Sequence, residues 1–210
     1  MSQVGIILFD QVNELDFIGP FEVLSMSNWL LDNDIYPGGP PLEPARLSVQ
    51  LLSPDGGLVR CEKGLQLSGL GRMADCEGLD VILVPGGSGV DALCADARAL
   101  AEVNRLAANA EWVTSVCNGA FVLAAAGLAR GRQVTTHWAA IDSLRDGYPD
   151  LTVVEDVQYV RDGRILTSAG VSAGIDMALW LLGQMISPRR ARLVQRGMQY
   201  NPAPPYAALT

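Results

Sequence analysis

Histidine is almost absent: His137 stands alone among 210 residues. A histidine-rich metal centre is thereby excluded. Four cysteines, Cys61, Cys76, Cys94 and Cys117, form no CxxC pair and no Cys/His ligand spacing, so no metal and no other cofactor is expected. Positive charge is also scarce. Fifteen Lys and Arg are set against 23 Asp and Glu, a formal net charge of −8. With no basic stripe to neutralise phosphates, nucleic acid is excluded as a partner. The Arg-rich stretch SPRRARLVQR reads as the polar face of a late helix. No segment approaches the roughly 20 uninterrupted apolar residues of a membrane span. GIILF, near the start, is too short for a secretory signal and lacks its basic flank. Repeats and low-complexity tracts are missing too. What remains is a cytoplasmic protein with free thiols and no membrane contact.

Hydrophobic residues make up 49% of the chain, enough for a sizeable core in one domain spanning 1–210. VGIILF, LDVILVPGG and EWVTSVC read as buried parallel strands. Between them lie an amphipathic helix from residue 10 onward, broken near Gly19-Pro20, and a helix over about 96–108. RQVTTHW reads as a short strand opening a helix at 138–146, and GVSAGIDMALWLLGQMI as the longest apolar helix. GLVRCEKGLQLSG and TVVEDVQYVRDGRILTSAG read as hairpins, turning near Glu62–Gly64 and at Asp162-Gly163. Residues 32–46, rich in Pro, Gly and charge, read as an exposed loop. The β-α-β-α order with short connections implies a doubly wound, mostly parallel sheet with helices on both faces. On such sheets ligands bind at the carboxyl ends of the strands, near a topological switch point. Asp16 after the first strand, Gly86-Gly87 after the second and Cys117 after the third would converge there.

Cys117 lies where a strand turns into a helix. Helix-start amides and the helix dipole would lower its pKa there and make it a nucleophile. Gly119 and Ala120 beside it permit a tight turn and close approach of a ligand. The other reading is an inert buried thiol, since free cysteine is among the most buried residue types. The local pattern leaves both open. Gly86 and Gly87 are either oxyanion-binding amides or a plain strand-ending turn. Asp16, among apolar neighbours, must be paired, cap a helix, or be kept protonated by desolvation. His137 is read as a structural or supporting residue, because a Cys–His pair needs contact that spacing does not show.

ELDFIGPFEVL, LDVILVPGG, TSVCNGAFVLAAAGLARGRQVTTHWAA, VRDGRILTSAGVSAGIDMALWL and GMQYNPAPPY together resemble the ThiJ/PfpI superfamily, and within it the isonitrile hydratase branch. The resemblance implies a flavodoxin-like fold of the class I glutamine-amidotransferase type and a homodimer. It implies Cys117 as nucleophile and Asp16 as its acidic partner. Gly86, Gly87 and Asn118 would lend backbone amides, and no cofactor would be needed. Where the branch usually has threonine, this chain has Asn118, so Asn118→Thr is expected to preserve turnover. The 32–46 loop would reshape the pocket mouth or the dimer contact. No helix-turn-helix extension is evident, which argues against the regulators that carry a related domain.

The chemistry implied is hydration of an isonitrile to an N-substituted formamide. A protonated Asp16 would deliver the proton and a Cys117 thiolate would form a thioimidate. Two alternatives share the residues: action on a small reactive aldehyde, and a non-catalytic redox or stress role with Cys117 as the oxidised group.

Overall fold

Runs that are apolar without alternation become central strands because both of their faces are covered. The computed structural model describes residues 1–33 and 40–201. Strand β1 (Ser2–Ile7) leads into helix α1 (Glu14–Asp32), and β2 (Leu47–Ser53) follows. A small antiparallel hairpin comes next, β3 (Val59–Arg60) with β4 (Gln66–Leu67), then β5 (Gly71–Arg72) and β6 (Val81–Val84). Helices α2 (Val90–Ala95) and α3 (Ala97–Ala107) precede β7 (Trp112–Val116). A single 3-10 turn, Cys117–Gly119, carries β7 into α4 (Ala120–Ala125). Strands β8 (Gln133–Val134) and β9 (Thr152–Val153) flank α5 (Ile141–Gly147). Hairpin β10 (Tyr159–Asp162) and β11 (Ile165–Ser168) then lead to α6 (Ala173–Met185) and α7 (Pro188–Gly197).

Seven strands form one sheet in the order β10-β11-β7-β6-β1-β2-β5, all parallel except β10. Helices α1, α6 and α7 pack together on one face; α2, α3 and α4 lie on the other. From β1 the chain goes to β2 on one side and later returns to β6 on the other. The switch point therefore lies at the carboxyl ends of β1 and β6, with β7 next in line. All four residues of β6 are buried, as are Val4, Ile6 and Ile7 of β1. Among the described residues no helix is long and apolar enough to cross a membrane.

The structure departs from the sequence reading in four places. Helix α1 is not broken at Gly19-Pro20 but runs through both residues. An interior proline removes one helical hydrogen bond and costs about 3 kcal/mol where nothing compensates. Here a Cβ on Gly19 would lie 2.8 Å from Ile175 of α6, and Pro20 faces Gly174. The close α1–α6 crossing offsets the lost bond. The 96–108 helix is preceded by a separate turn of helix, because Asp96 caps α3 by accepting the Arg98 and Ala99 N–H groups. RQVTTHW contributes only two strand residues, paired with β9 in a separate ribbon. Thr152–Val153 therefore leaves the second hairpin, which is confined to 159–168.

Part of the 32–46 loop, 34–39, lies outside the described residues, as does 202–210 of the terminal segment. The loop's far end is fastened away from the strand ends. Arg190 of α7, fully buried, donates to Ser27 O at 3.1 Å, to Ser27 Oγ at 3.3 Å and to Glu43 O. Arg189 donates to Pro41 O at 2.9 Å. Residues 40–46 thus brace α7 against α1 and do not line the cavity described below. Arg190→Ala leaves those buried acceptors without a donor. It should cost about 2–4 kcal/mol in urea unfolding and expose 40–46 to limited proteolysis. Unchanged stability would show that the guanidinium is not holding the loop.

Candidate active site

Three loops meet at the switch point, and each brings one polar group. Asn13 caps α1 by accepting the Leu15 N–H at 3.3 Å, which sets Asp16 in the first helical turn, pointing into the protein. Asp16 is fully buried. Its Oδ2 accepts the Gly86 N–H at 3.0 Å, just past β6. Its Oδ1 is buried and has no partner in full hydrogen-bond geometry; the Cys117 thiol lies near enough to pair with the carboxylate weakly.

Cys117 opens the turn after β7 with φ of 57°, left-handed backbone that a non-glycine residue rarely adopts. Its N–H donates to Ala169 O at 3.3 Å, and its carbonyl accepts the Thr136 hydroxyl at 2.9 Å. Those two bonds hold the strained residue in place. The N–H groups of Asn118 and Val171 interact with the sulfur. Val171 is itself at φ 54°, which is rarer still for a β-branched residue. No sequence pattern marks Val171, because backbone direction rather than side-chain chemistry gives it its place.

The glycines serve differently from the amide donors expected of them. Gly86 N–H is taken by Asp16, and Gly87 N–H by Asn118 Oδ1 at 2.8 Å. Asn118 Nδ2 donates in return to Gly87 O at 3.0 Å. The Asn118 side chain is thus a clamp on one residue, holding the peptide groups on both sides of Gly87, and the amides of Gly86 and Gly87 are occupied. A threonine hydroxyl would have to donate and accept through a single oxygen on a shorter side chain, where Asn118 uses two separate atoms. Glycine at 86 is a requirement of space: a Cβ would sit 2.8 Å from Asp16 Oδ2 and strike Asn118 Oδ1. Gly119 lies behind the site, against the Val84 and Pro85 carbonyls.

Cys117, Asn118, Gly87 and Val171 open onto a cavity of about 300 Å³, and His137 forms part of its wall. His137 caps the short turn Trp138–Ala140, its Nδ1 accepting the Ala139 N–H at 3.3 Å. Its hydrogen bond thus lies within its own turn, and among the described residues it makes none to the Cys117 thiol. Among the described residues no group of three or more His, Cys, Asp and Glu is placed to hold a metal ion. The four cysteines are free.

Burial sets the electrostatics. Desolvation raises the Asp16 carboxyl from 3.8 to about 6, against the lowering effect of the Gly86 N–H and the Cys117 thiol. Desolvation, then the Asp16 charge, pushes the Cys117 thiol up to about 12, although the Asn118 and Val171 amides oppose this. The expected lowering of the thiol by the helix start is therefore overturned, because burial and a neighbouring carboxylate outweigh two amides. At neutral pH the charge rests on Asp16 and the proton on sulfur.

An α/β protein of flavodoxin-like topology with a cysteine–carboxylate pair at its switch point is the class that this fold and site define. The family model of the DJ-1/PfpI family matches residues 2–184, and the chain belongs to that family. It is 42% identical over 206 residues to isonitrile hydratase of Pseudomonas putida, covering 97% of this chain and 81% of that protein. It is 35% identical over 142 residues to the HTH-type transcriptional regulator CdhR of Pseudomonas aeruginosa, covering 67% of this chain and 41% of the regulator. Among solved structures, a ThiJ/PfpI family protein from Pseudomonas syringae aligns with a TM-score of 0.83 at 27% identity, over 100% of this chain and 79% of that one.

A raised carboxyl pKa favours the folded state only while the group is protonated. Asp16 thus costs nothing below about pH 4, and its full cost is present above about 6. Asp16→Asn should therefore stabilise the protein at pH 8 by about 2–3 kcal/mol, from 1.36 kcal/mol per pKa unit. The gain should vanish as the pH falls towards 4. Paired urea titrations of wild type and variant would test this; a gain independent of pH would contradict it.

Proposed function

We propose that the chain is an isonitrile hydratase-like enzyme, a cysteine-dependent hydro-lyase of the cytoplasm. It would convert R–N≡C and water into an N-substituted formamide. The observation that carries this reading is the buried Asp16 carboxylate, one oxygen of it without a full hydrogen bond, paired weakly with the thiol of Cys117, which lines a small cavity. Similarity to the Pseudomonas putida isonitrile hydratase over nearly the whole chain supports it.

The terminal carbon of an isonitrile carries a lone pair and accepts both a proton and a nucleophile. Asp16 takes the thiol proton and passes it to that carbon while sulfur attacks the same atom. The C–S bond forms, and R–N=CH–S–Cys117 results. The Asn118 and Val171 amides stabilise the sulfur as it carries charge during the transfer. In the second half Asp16, ionised again, takes a proton from water as its oxygen adds to the carbon, and hands that proton to the nitrogen. The tetrahedral adduct collapses with cleavage of C–S. The hydroxyl proton returns through Asp16 to sulfur and releases R–NH–CHO. One proton circulates, and the net change is addition of water.

This starting state reverses the sequence expectation of protonated Asp16 and thiolate Cys117, yet it holds the same single proton. A redox-sensing role for Cys117 is less favoured, since a thiol held near 12 has little thiolate for peroxide. Action on a small aldehyde would use the same pair, and a methylglyoxal assay separates it from hydration.

Formamide production from cyclohexyl isonitrile, read by mass spectrometry, should be abolished in Cys117→Ala and lowered at least about a hundredfold in Asp16→Asn. In the wild type kcat/KM should rise as pH climbs through about 6 and then stay flat, because the thiol does not ionise below about 12. Turnover that survives in Cys117→Ala would end the nucleophile assignment. We also propose a homodimer, on the exposed apolar side chains Leu15, Ile18 and Trp29 of α1 and Trp138 near the cavity. Sedimentation at micromolar concentration should give twice the mass of the chain, and a monomer would contradict this.

A further inference from the structure

The β3–β4 hairpin carries no residue of the proposed chemistry, yet it is fastened over the cavity. Gln11 N–H donates to Arg60 O at 2.7 Å, and Glu62 N–H to Val12 O at 2.9 Å. Glu14 Oε1 accepts the Lys63 and Leu65 N–H groups at 2.8 and 3.4 Å. This rivets the hairpin turn to the loop after β1 and the start of α1, the same segments that position Asp16. The turn thereby presents Glu62 in the cavity wall, whose lining also includes Asn13, Ser88, Ala139 and Ala140. Asn13 Nδ2 donates to Glu62 Oε2 at 3.2 Å and holds the carboxylate from one side.

Among the side chains lining this cavity, Glu62 is the one Asp, Glu, Lys or Arg. Lys63, the only lysine in the sequence, sits 3.4 Å from Glu62 Oε2 and 3.9 Å from Glu14 Oε2, but it is largely exposed and does not line the cavity. Asp16, buried beside Cys117 and not itself in the lining, adds negative charge, and the whole chain carries −8. A ligand reaching Cys117 thus passes small apolar surface and meets a carboxylate with hydrogen-bond acceptors beside it.

We propose that Glu62 is a specificity-determining residue, selecting small electrophiles whose side group ends in a hydroxyl or ammonium and disfavouring those that end in a carboxylate. For isonitriles this rests on the hydratase reading above; the charge selection itself concerns only access to Cys117. Glu62 is exposed to solvent at the cavity, so a like charge on the ligand is repelled modestly, while a donor on the ligand adds to the carboxylate's hydrogen bonding.

The test compares ω-substituted alkyl isonitriles of one length, ending in ammonium, hydroxyl or carboxylate, in wild type and Glu62→Gln. In parallel, alkylation of Cys117 by bromoethylamine, iodoacetamide and iodoacetate is followed by mass spectrometry, normalised to free cysteine. Wild type should favour ammonium and hydroxyl over carboxylate. Glu62→Gln should lower the ammonium-to-carboxylate ratio of kcat/KM about tenfold, mainly through KM, and move the alkylation ratio the same way. If neither ratio moves, the proposal fails, even with isonitriles turned over. It fails equally if wild type prefers the carboxylate and Lys63→Met abolishes that preference, since Lys63 then governs the entrance. If no isonitrile is hydrated but alkylation selectivity follows Glu62, charge selection stands and the hydratase reading falls.

Discussion

A buried carboxyl group beside a buried thiol has room for one negative charge, not two. Placing both anions in the same desolvated space would cost far more than any nearby amide returns. Asp16 and Cys117 therefore form a coupled unit that keeps one proton. Burial makes sulfur a poor acid and the carboxyl a weak one, and their difference decides where the proton rests. The proposed chemistry needs such an arrangement, because an isonitrile carbon must receive a proton and sulfur in the same encounter.

The fold is what holds the two groups together. They come from α1 and from the turn after β7, segments far apart in sequence, and the β1/β6 switch point brings them side by side. Gly86 fixes Asp16 through one N–H, and the Asn118 clamp fixes Gly87 through its N–H and its carbonyl. Positive φ at Cys117 and Val171 turns two amides towards sulfur. The strain at these residues is contained by Thr136 and Ala169, which bond the Cys117 backbone on both sides.

Much of this was legible in the sequence, and for physical reasons. Short unbroken apolar runs rich in β-branched residues and ended by Pro or Gly, such as VILV before PGG, read as two-sided strands, so the doubly wound sheet and its switch point followed. A cysteine at a strand-to-helix joint and an aspartate among apolar residues stood out against their surroundings. Two kinds of information were not legible. Tertiary contact decided the course of α1 through Pro20, where close packing against α6 outweighs a local propensity. The direction of backbone N–H groups decided which amides face sulfur. VPGG looks like a donor loop, yet its donors are taken by Asp16 and Asn118, while Val171 carries no signature. The sign of the Cys117 shift was missed because the helix start is a local cue and desolvation is not. The hairpin around Glu62 was recognised as a hairpin, but its place over the cavity depends on long-range bonds to Glu14 and Val12.

The central claim is that, in the resting protein, sulfur holds the proton and Asp16 the charge. Ultraviolet thiolate absorbance, taken as the difference between wild type and Cys117→Ala across the neutral range, reads this directly. The account predicts no thiolate signal from Cys117 up to about pH 9, and the appearance of one only when Asp16→Asn removes the opposing charge and the pH is raised further. A wild-type thiolate signal already present at neutral pH would contradict it.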